Sequence, residues 1–229
     1  MHFDREIFFD NVRSDPFDGS LTQGQVDGME ALLGAFERYR ADQDVRFLAY
    51  ELATTFHETG QTMEPIEEWG KGEGHDYGEP DPETGQCYYG RGLVQLTWRE
   101  NYARADNELM TLFGIMVGME ADADKALIMK VAVAVLMIGM EQGWFTSKKL
   151  SDYFNDDRDD PVNARQIVNG NDCDDLIASY HADFMAALSL SIEEEPLPPA
   201  PVRTVVSVNI QASADADIAV FVNGEERTP

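Results

Sequence analysis

Tyr88-Tyr89-Gly90-Arg91-Gly92-Leu93-Val94-Gln95-Leu96-Thr97-Trp98 is the stretch on which the reading of this chain turns. Two tyrosines enter a Gly-Arg-Gly bend, and an alternation of apolar and polar residues leaves it. Successive side chains of an extended strand point to opposite faces, so Gln95 and Thr97 are expected on one wall, anchored by Val94 and Leu96 on the other. About thirty residues upstream, His57-Glu58-Thr59-Gly60 ends a helical pattern with a glutamate. A carboxyl paired with a polar wall on an apolar base reads as a carbohydrate cleft.

Working outward, Thr22-Gln23-Gly24-Gln25 has the form of a capping box, and Val26, Met29, Leu32, Leu33 and Phe36 follow at helical spacing. A second helix is expected over residues 44–59, with Val45, Leu48, Ala49, Leu52, Ala53 and Phe56 as its apolar stripe and Gly60 as its stop. Residues 61–92 are rich in Gly, Pro and charge, which predicts loops and short hairpins. Helical patterns resume near Arg99, over residues 124–142, after Pro161 with Asp160 as its cap, and over residues 172–190. The expected fold class is mainly α (α+β), with small hairpins. Residues 1–195 should form the helical domain, 196–201 a stiff Pro-rich linker, and 202–229 a short β-rich tail. Within that tail, strands are expected over 205–210 and 218–222, with a turn at Asn223-Gly224.

Charge excludes whole classes of partner. With 17 basic against 43 acidic residues the chain carries −26, so no basic stripe is available for nucleic acid, and an anionic membrane surface would repel it. The acidity reads as a heavily solvated surface. Moderate salt should therefore raise the melting temperature by screening self-repulsion, equally in two different monovalent salts; a steady fall between low and moderate salt would count against this. Residues 126–140 are strongly apolar but too short for a membrane span and interrupted by Lys130, so a buried core helix is expected. Met1-His2-Phe3-Asp4-Arg5-Glu6 lacks a basic leader followed by an apolar core, from which accumulation in the cytoplasm is expected. Cys87 and Cys173, the only cysteines, are expected as reduced thiols.

Glu58 is the residue with the most chemical interest. Hydrolysis of a glycoside by inversion needs one protonated carboxyl for the leaving oxygen and a second, ionised, to activate water. Glu58 can supply the first role, while Glu64, Glu67, Glu68, Glu73 and Glu79 compete for the second. The acidic run 155–160 lacks the glycine and terminal glutamate of a calcium loop, and His75 and His181 share no zinc spacing with the cysteines. Neither metal nor cofactor is expected. Arg91 reads as a brace for the bend. Trp69 and Trp98 suit either sugar stacking or the core.

His57-Glu58-Thr59, the Tyr-Tyr-Gly-Arg-Gly stretch through Gln95-Leu96-Thr97, Asn101-Tyr102, and Ile167-Val168-Asn169-Gly170 resemble, in that order, the signatures of glycoside hydrolase family 19. This family holds the plant-type chitinases and many phage endolysins. The resemblance spans residues 20–190 and implies a lysozyme-like helical fold and inverting hydrolysis of β-1,4-linked amino sugars. It implies Glu58 as general acid and Glu68, in Ile66-Glu67-Glu68-Trp69-Gly70, as base, with Glu67 the nearest rival. Thr97 matches a hydroxyl residue that helps hold the attacking water. His57, Gln95, Asn101 and Asn169 match positions at the sugar, and Tyr89 is expected to line the cleft. Three departures from the plant chitinases are visible: a much shorter loop between the two acids, the lack of multiple disulfides, and no cysteine-rich chitin-binding module. They favour an endolysin acting on peptidoglycan, reaching the wall through a holin-like pore or a secretion device. A chitinase and a catalytically silent glycan-binding domain are the alternatives.

Overall fold

The computed structural model describes residues 1–193 and, beyond them, strands at 211–212, 218–222 and 225–227. The chain divides into two units, Met1–Glu193 and Glu194–Pro229. Along the first run β1 (His2–Phe3), α1 (Arg5–Ser14), α2 (Gln23–Tyr39), α3 (Val45–Glu58), β2 (Ile66–Glu67), β3 (Arg91–Gly92), α4 (Arg99–Phe113), α5 (Met129–Gln142), β4 (Phe154–Asn155), β5 (Arg158–Asp159), α6 (Asp174–Ser191) and β6 (Ile192–Glu193). This unit is mainly helical, and its strands are two-residue pairings that staple loops.

Local chemistry sets the boundaries of α2 and α3. Thr22 Oγ1 accepts from the Gln25 N–H at 3.2 Å and Gln25 Oε1 accepts from the Thr22 N–H at 2.8 Å, the reciprocal capping box expected from the sequence. Asp44 Oδ1 accepts from the Arg46 N–H at 2.9 Å and starts α3. The helix stops after Glu58, where Gly60 turns to φ +58°. Every residue from 48 to 56 is buried, and α3 packs chiefly on α6, so α3 is the axis of the core. Phe56 meets Phe17 and Tyr180 edge-on, each with ring centroids 4.8 Å apart.

One buried charge cluster crosses that core. Glu51 is fully buried, and Arg40 Nη1 donates to it at 2.6 Å, while Arg40 Nη2 donates to the Met137 carbonyl at 2.6 Å. Burial pushes the Glu51 carboxyl up to about 6, against the pull of Arg40. His181, sandwiched between Tyr50 and Phe154, is pushed down to about 4 by the same desolvation and sits neutral in the core.

Two expectations are corrected, and one helix lies outside them. The pattern over 124–142 is not one helix: a 3-10 turn, Ala123–Leu127, is followed by Ile128 in extended backbone (φ −72°, ψ 119°), and α5 starts only at Met129. The turn is held by tertiary contacts that helical period does not encode. Its Asp124 pairs with Arg91 at 3.0 Å, and a Cβ at Gly92 would lie 3.1 Å from the Ala126 carbonyl oxygen. The helix expected after Pro161 with Asp160 as its cap is a 3-10 turn, Asn163–Ile167, whose N-cap is Val162; Asp160 Oδ1 accepts from the Asn163 N–H at 3.1 Å. Finally, α1 was not foreseen, although Asp4 caps it and Phe8 and Val12, four apart, are both buried. Among the described residues no helix is long and apolar enough to cross a membrane.

β1 pairs antiparallel with β6, and the Asp4 N–H donates to the Ser191 carbonyl at 2.7 Å, so the first unit is closed on itself. A chain ended after Glu195 keeps this clasp. It should fold and melt cooperatively by circular dichroism; failure to fold would make residues 202–229 part of the core. In the second unit β7 (Gln211–Ala212), β8 (Ile218–Val222) and β9 (Glu225–Arg227) form an antiparallel three-stranded sheet in that order. The strand at 218–222 lies where the sequence placed it. The linker over 196–201, the strand over 205–210 and the turn at Asn223-Gly224 lie outside the described residues.

Candidate active site

Glu58 is the last residue of α3, with 16% of its side chain exposed, and its Oε1 accepts from Arg165 Nη1 at 2.6 Å. Arg165 is itself buried and aimed by its Nε donating to the Asp172 carbonyl at 2.9 Å. The Asn169 N–H donates to the Arg165 carbonyl at 3.0 Å, which brings the Asn169 backbone into this group; its exposed side chain accepts from the Gly170 N–H. His57 is half-buried, and its carbonyl accepts from the Gly60 N–H.

From Glu58 the chain reaches the second group through residues 59–65, a fixed connection. Thr59 Oγ1 accepts from the Met63 N–H at 3.0 Å, and Gln25 Nε2 donates to the Gln61 carbonyl at 2.9 Å. At Gly28 on α2 a Cβ would fall 2.0 Å from the Met63 carbonyl oxygen, so only glycine lets the connection lie this close.

β2 then pairs antiparallel with β3, Ile66 opposite Gly92 and Glu67 opposite Arg91, and the Glu68 N–H donates to the Gly90 carbonyl at 2.7 Å. The adjacent glutamates have different partners. Glu67 accepts from the Tyr89 hydroxyl at 2.5 Å and from Lys71 Nζ at 2.8 Å, and those two donors, Lys71 first, hold its carboxyl below the usual range. Glu68 accepts at Oε2 from the Gly90 N–H, 2.9 Å, and at Oε1 from the Tyr77 hydroxyl, 3.1 Å. Tyr89, expected on the cleft, is only 7% exposed and stacks on the Arg91 guanidinium, 3.6 Å from its ring centre.

The opening stretch is a tight turn, and here the strand expected from its alternation is corrected. Arg91 and Leu96 exchange backbone hydrogen bonds of 3.2 and 2.9 Å, Gly92 has φ +90°, and Gln95 has φ +55°. Two positive-φ residues reverse the chain within four positions, which an extended strand cannot do. The burial pattern nevertheless matches: Val94 and Leu96 are buried, while Gln95 and Thr97 are half-buried. A Cβ at Gly90 would lie 2.8 Å from Gln95 Oε1 and 3.3 Å from the Glu68 Cβ, so the bare backbone lets both side chains close on the bend. Thr97 Oγ1 donates to the Gln95 carbonyl at 2.8 Å, and Asn101 Nδ2 donates to the Thr97 carbonyl at 2.8 Å. Glu68 and Gln95 thus meet at Gly90, and Gln95, Thr97 and Asn101 are joined in sequence by these hydrogen bonds. Arg91 braces it from inside, donating to the Cys87 carbonyl at 2.8 Å while paired with Asp124.

Neither Trp69 nor Trp98 is core, at 92% and 48% exposed. Cys87 and Cys173 are free thiols. Sequence reasoning missed Arg165 and Tyr77. Arg165 stands two residues before the Ile167-Val168-Asn169-Gly170 motif, a rare cation in an acidic chain, but its partner is 107 residues away.

Neither a protein-family model nor a curated protein matches the chain. Among solved structures it is similar to chitinase C from Streptomyces griseus HUT6037, with 20% identity over 84% of this chain and 95% of that one and a TM-score of 0.49. It is also similar to a family GH19, class IV chitinase from Zea mays, with 16% identity over 82% and 93% and a TM-score of 0.46, and to a bacterial family 19 chitinase, with 19% identity over 84% and 98% and a TM-score of 0.46. Each of these likenesses covers more than four fifths of this chain.

Proposed function

We propose that this protein is a glycoside hydrolase that cuts β-1,4-linked amino-sugar strands of peptidoglycan by single displacement with inversion. The observation that carries the reading is the setting of Glu68. Donors fix both of its oxygens, and it meets Gln95 at Gly90, in the segment that resembles the family 19 signature. In this scheme Glu58 protonates the leaving oxygen. Glu68 takes one proton from water on the opposite face of the sugar; the other stays on the oxygen as the new hydroxyl and donates a hydrogen bond to Thr97 Oγ1, whose own hydrogen is committed to the Gln95 carbonyl. Inversion needs the two carboxyls about 6.5–9.5 Å apart to admit that water. Arg165 holds Glu58 at one oxygen and leaves the other for the leaving group.

Peptidoglycan is favoured over chitin by the short connection between Glu58 and Glu68 and by the two free thiols where plant chitinases carry several disulfides. Delivery through a holin-like pore or a secretion device belongs to the same reading. Purified sacculi and colloidal chitin, incubated in parallel and analysed for products by mass, test it. Soluble muropeptides from sacculi with little release from chitin are expected. Chitin turnover with intact sacculi would replace the substrate, and binding to either without release would replace the activity.

A further inference from the structure

We infer that Tyr77 is a positioning residue for Glu68: its hydroxyl donates to Oε1 while the Gly90 N–H donates to Oε2, so the carboxylate is gripped at both oxygens and cannot swing away from the water it activates. The inference rests on the hydrolase reading above. Tyr77 is brought back to Glu68 by a chain of turns. The Lys71 N–H donates to the Glu68 carbonyl, the His75 N–H to Gly72, and the Gly78 N–H to His75, at 2.9–3.0 Å. A Cβ at Gly78 would lie 2.1 Å from the Gly72 carbonyl oxygen, so the loop closes on itself through two glycines. The Tyr77 ring is then gripped by its neighbours. His75 stacks on it with centroids 4.9 Å apart at 6°, and Trp98 meets its edge at 5.0 Å and 80°. Backbone bonds of 2.9 Å, Tyr88 N–H to the Tyr77 carbonyl and Trp98 N–H to the Tyr88 carbonyl, tie this cluster to the Gly-Arg-Gly bend.

The direction of the bond is settled by the groups themselves. Partial burial and then the Glu68 carboxylate push the Tyr77 phenol up, so it remains protonated and donates. A donor on a carboxylate favours its ionised form, the form a base must take. The half-exposed Trp98 ring touches Tyr77, so a sugar resting on that ring also bears on the residue that aims Glu68.

The test is the pH dependence of turnover on soluble glycan fragments, in the full chain. Tyr77→Phe keeps the ring between His75 and Trp98 and removes only the hydroxyl. Its kcat should fall roughly tenfold, as for loss of a hydrogen bond to a charged group. KM should be nearly unchanged, and the acidic limb of the profile should move to higher pH. His75→Phe, which preserves the stack, should leave that limb in place. A chain carrying 3-fluorotyrosine at position 77, a stronger donor of nearly the same shape, should move the limb to lower pH. This arm decides the matter if Tyr77→Phe folds poorly. An unmoved limb in both Tyr77 forms, or an effect on KM alone, overturns the inference. An inactive unmodified protein would instead overturn the hydrolase reading.

Discussion

Glu58→Gln should lower turnover of sacculi by about 10²–10⁴-fold, the range of a positioned general acid, with the fold and glycan binding retained. The amide keeps the shape and leaves an oxygen to accept from Arg165 Nη1, so the buried guanidinium is not stranded. What it lacks is a proton for the leaving oxygen. Thermal melting and a pull-down on sacculi separate this outcome from unfolding, and near-normal activity would sink the mechanism altogether. Arg165→Met should also lower kcat, by freeing the carboxyl to rotate.

The second large effect is a contrast between neighbours. Glu68→Gln should be nearly as severe as Glu58→Gln, since the two groups gripping its side chain, the Gly90 N–H and the Tyr77 hydroxyl, are both donors. An amide there must turn an NH2 towards one of them, besides losing the charge that takes the water proton. Glu67→Gln should change activity less than twofold and stability little, as for a solvent-screened pair with an exposed lysine. A carboxylate held below the usual range by Lys71 and Tyr89 is also a poor base. Thr97→Ala should fall between the two, because the water keeps its bond to Glu68. A crippled Glu67→Gln beside an active Glu68→Gln would transfer the base to Glu67.

How much of this was legible beforehand depended on distance along the chain. The ends of α2 and α3 were readable because Thr22, Gln25, Asp44 and Gly60 act on backbone groups within a turn of themselves. Glu58 could be placed at a helix end for the same reason, and the strand at 218–222 followed from its β-branched and aromatic run. The polar wall at Gln95 and Thr97 was also readable as an exposure pattern.

Its geometry was not. Alternating burial is compatible with a strand or with a turn resting on the core, and the choice fell to Gly92, Gln95 and the Ala126 carbonyl beneath the bend. The same packing divided residues 123–142 into a 3-10 turn and a helix, although the apolar pattern runs through both. Which partner each glutamate took was likewise undecided locally: Glu58 and Arg165 are 107 residues apart, and Tyr77 and Tyr89 divide Glu68 and Glu67 between them across a closed loop. Caps and periodicity are satisfied by a residue's own neighbours, so sequence determined the helices. A side-chain hydrogen bond goes to whichever donor packing delivers, so only the tertiary structure decided how the carboxyls are held.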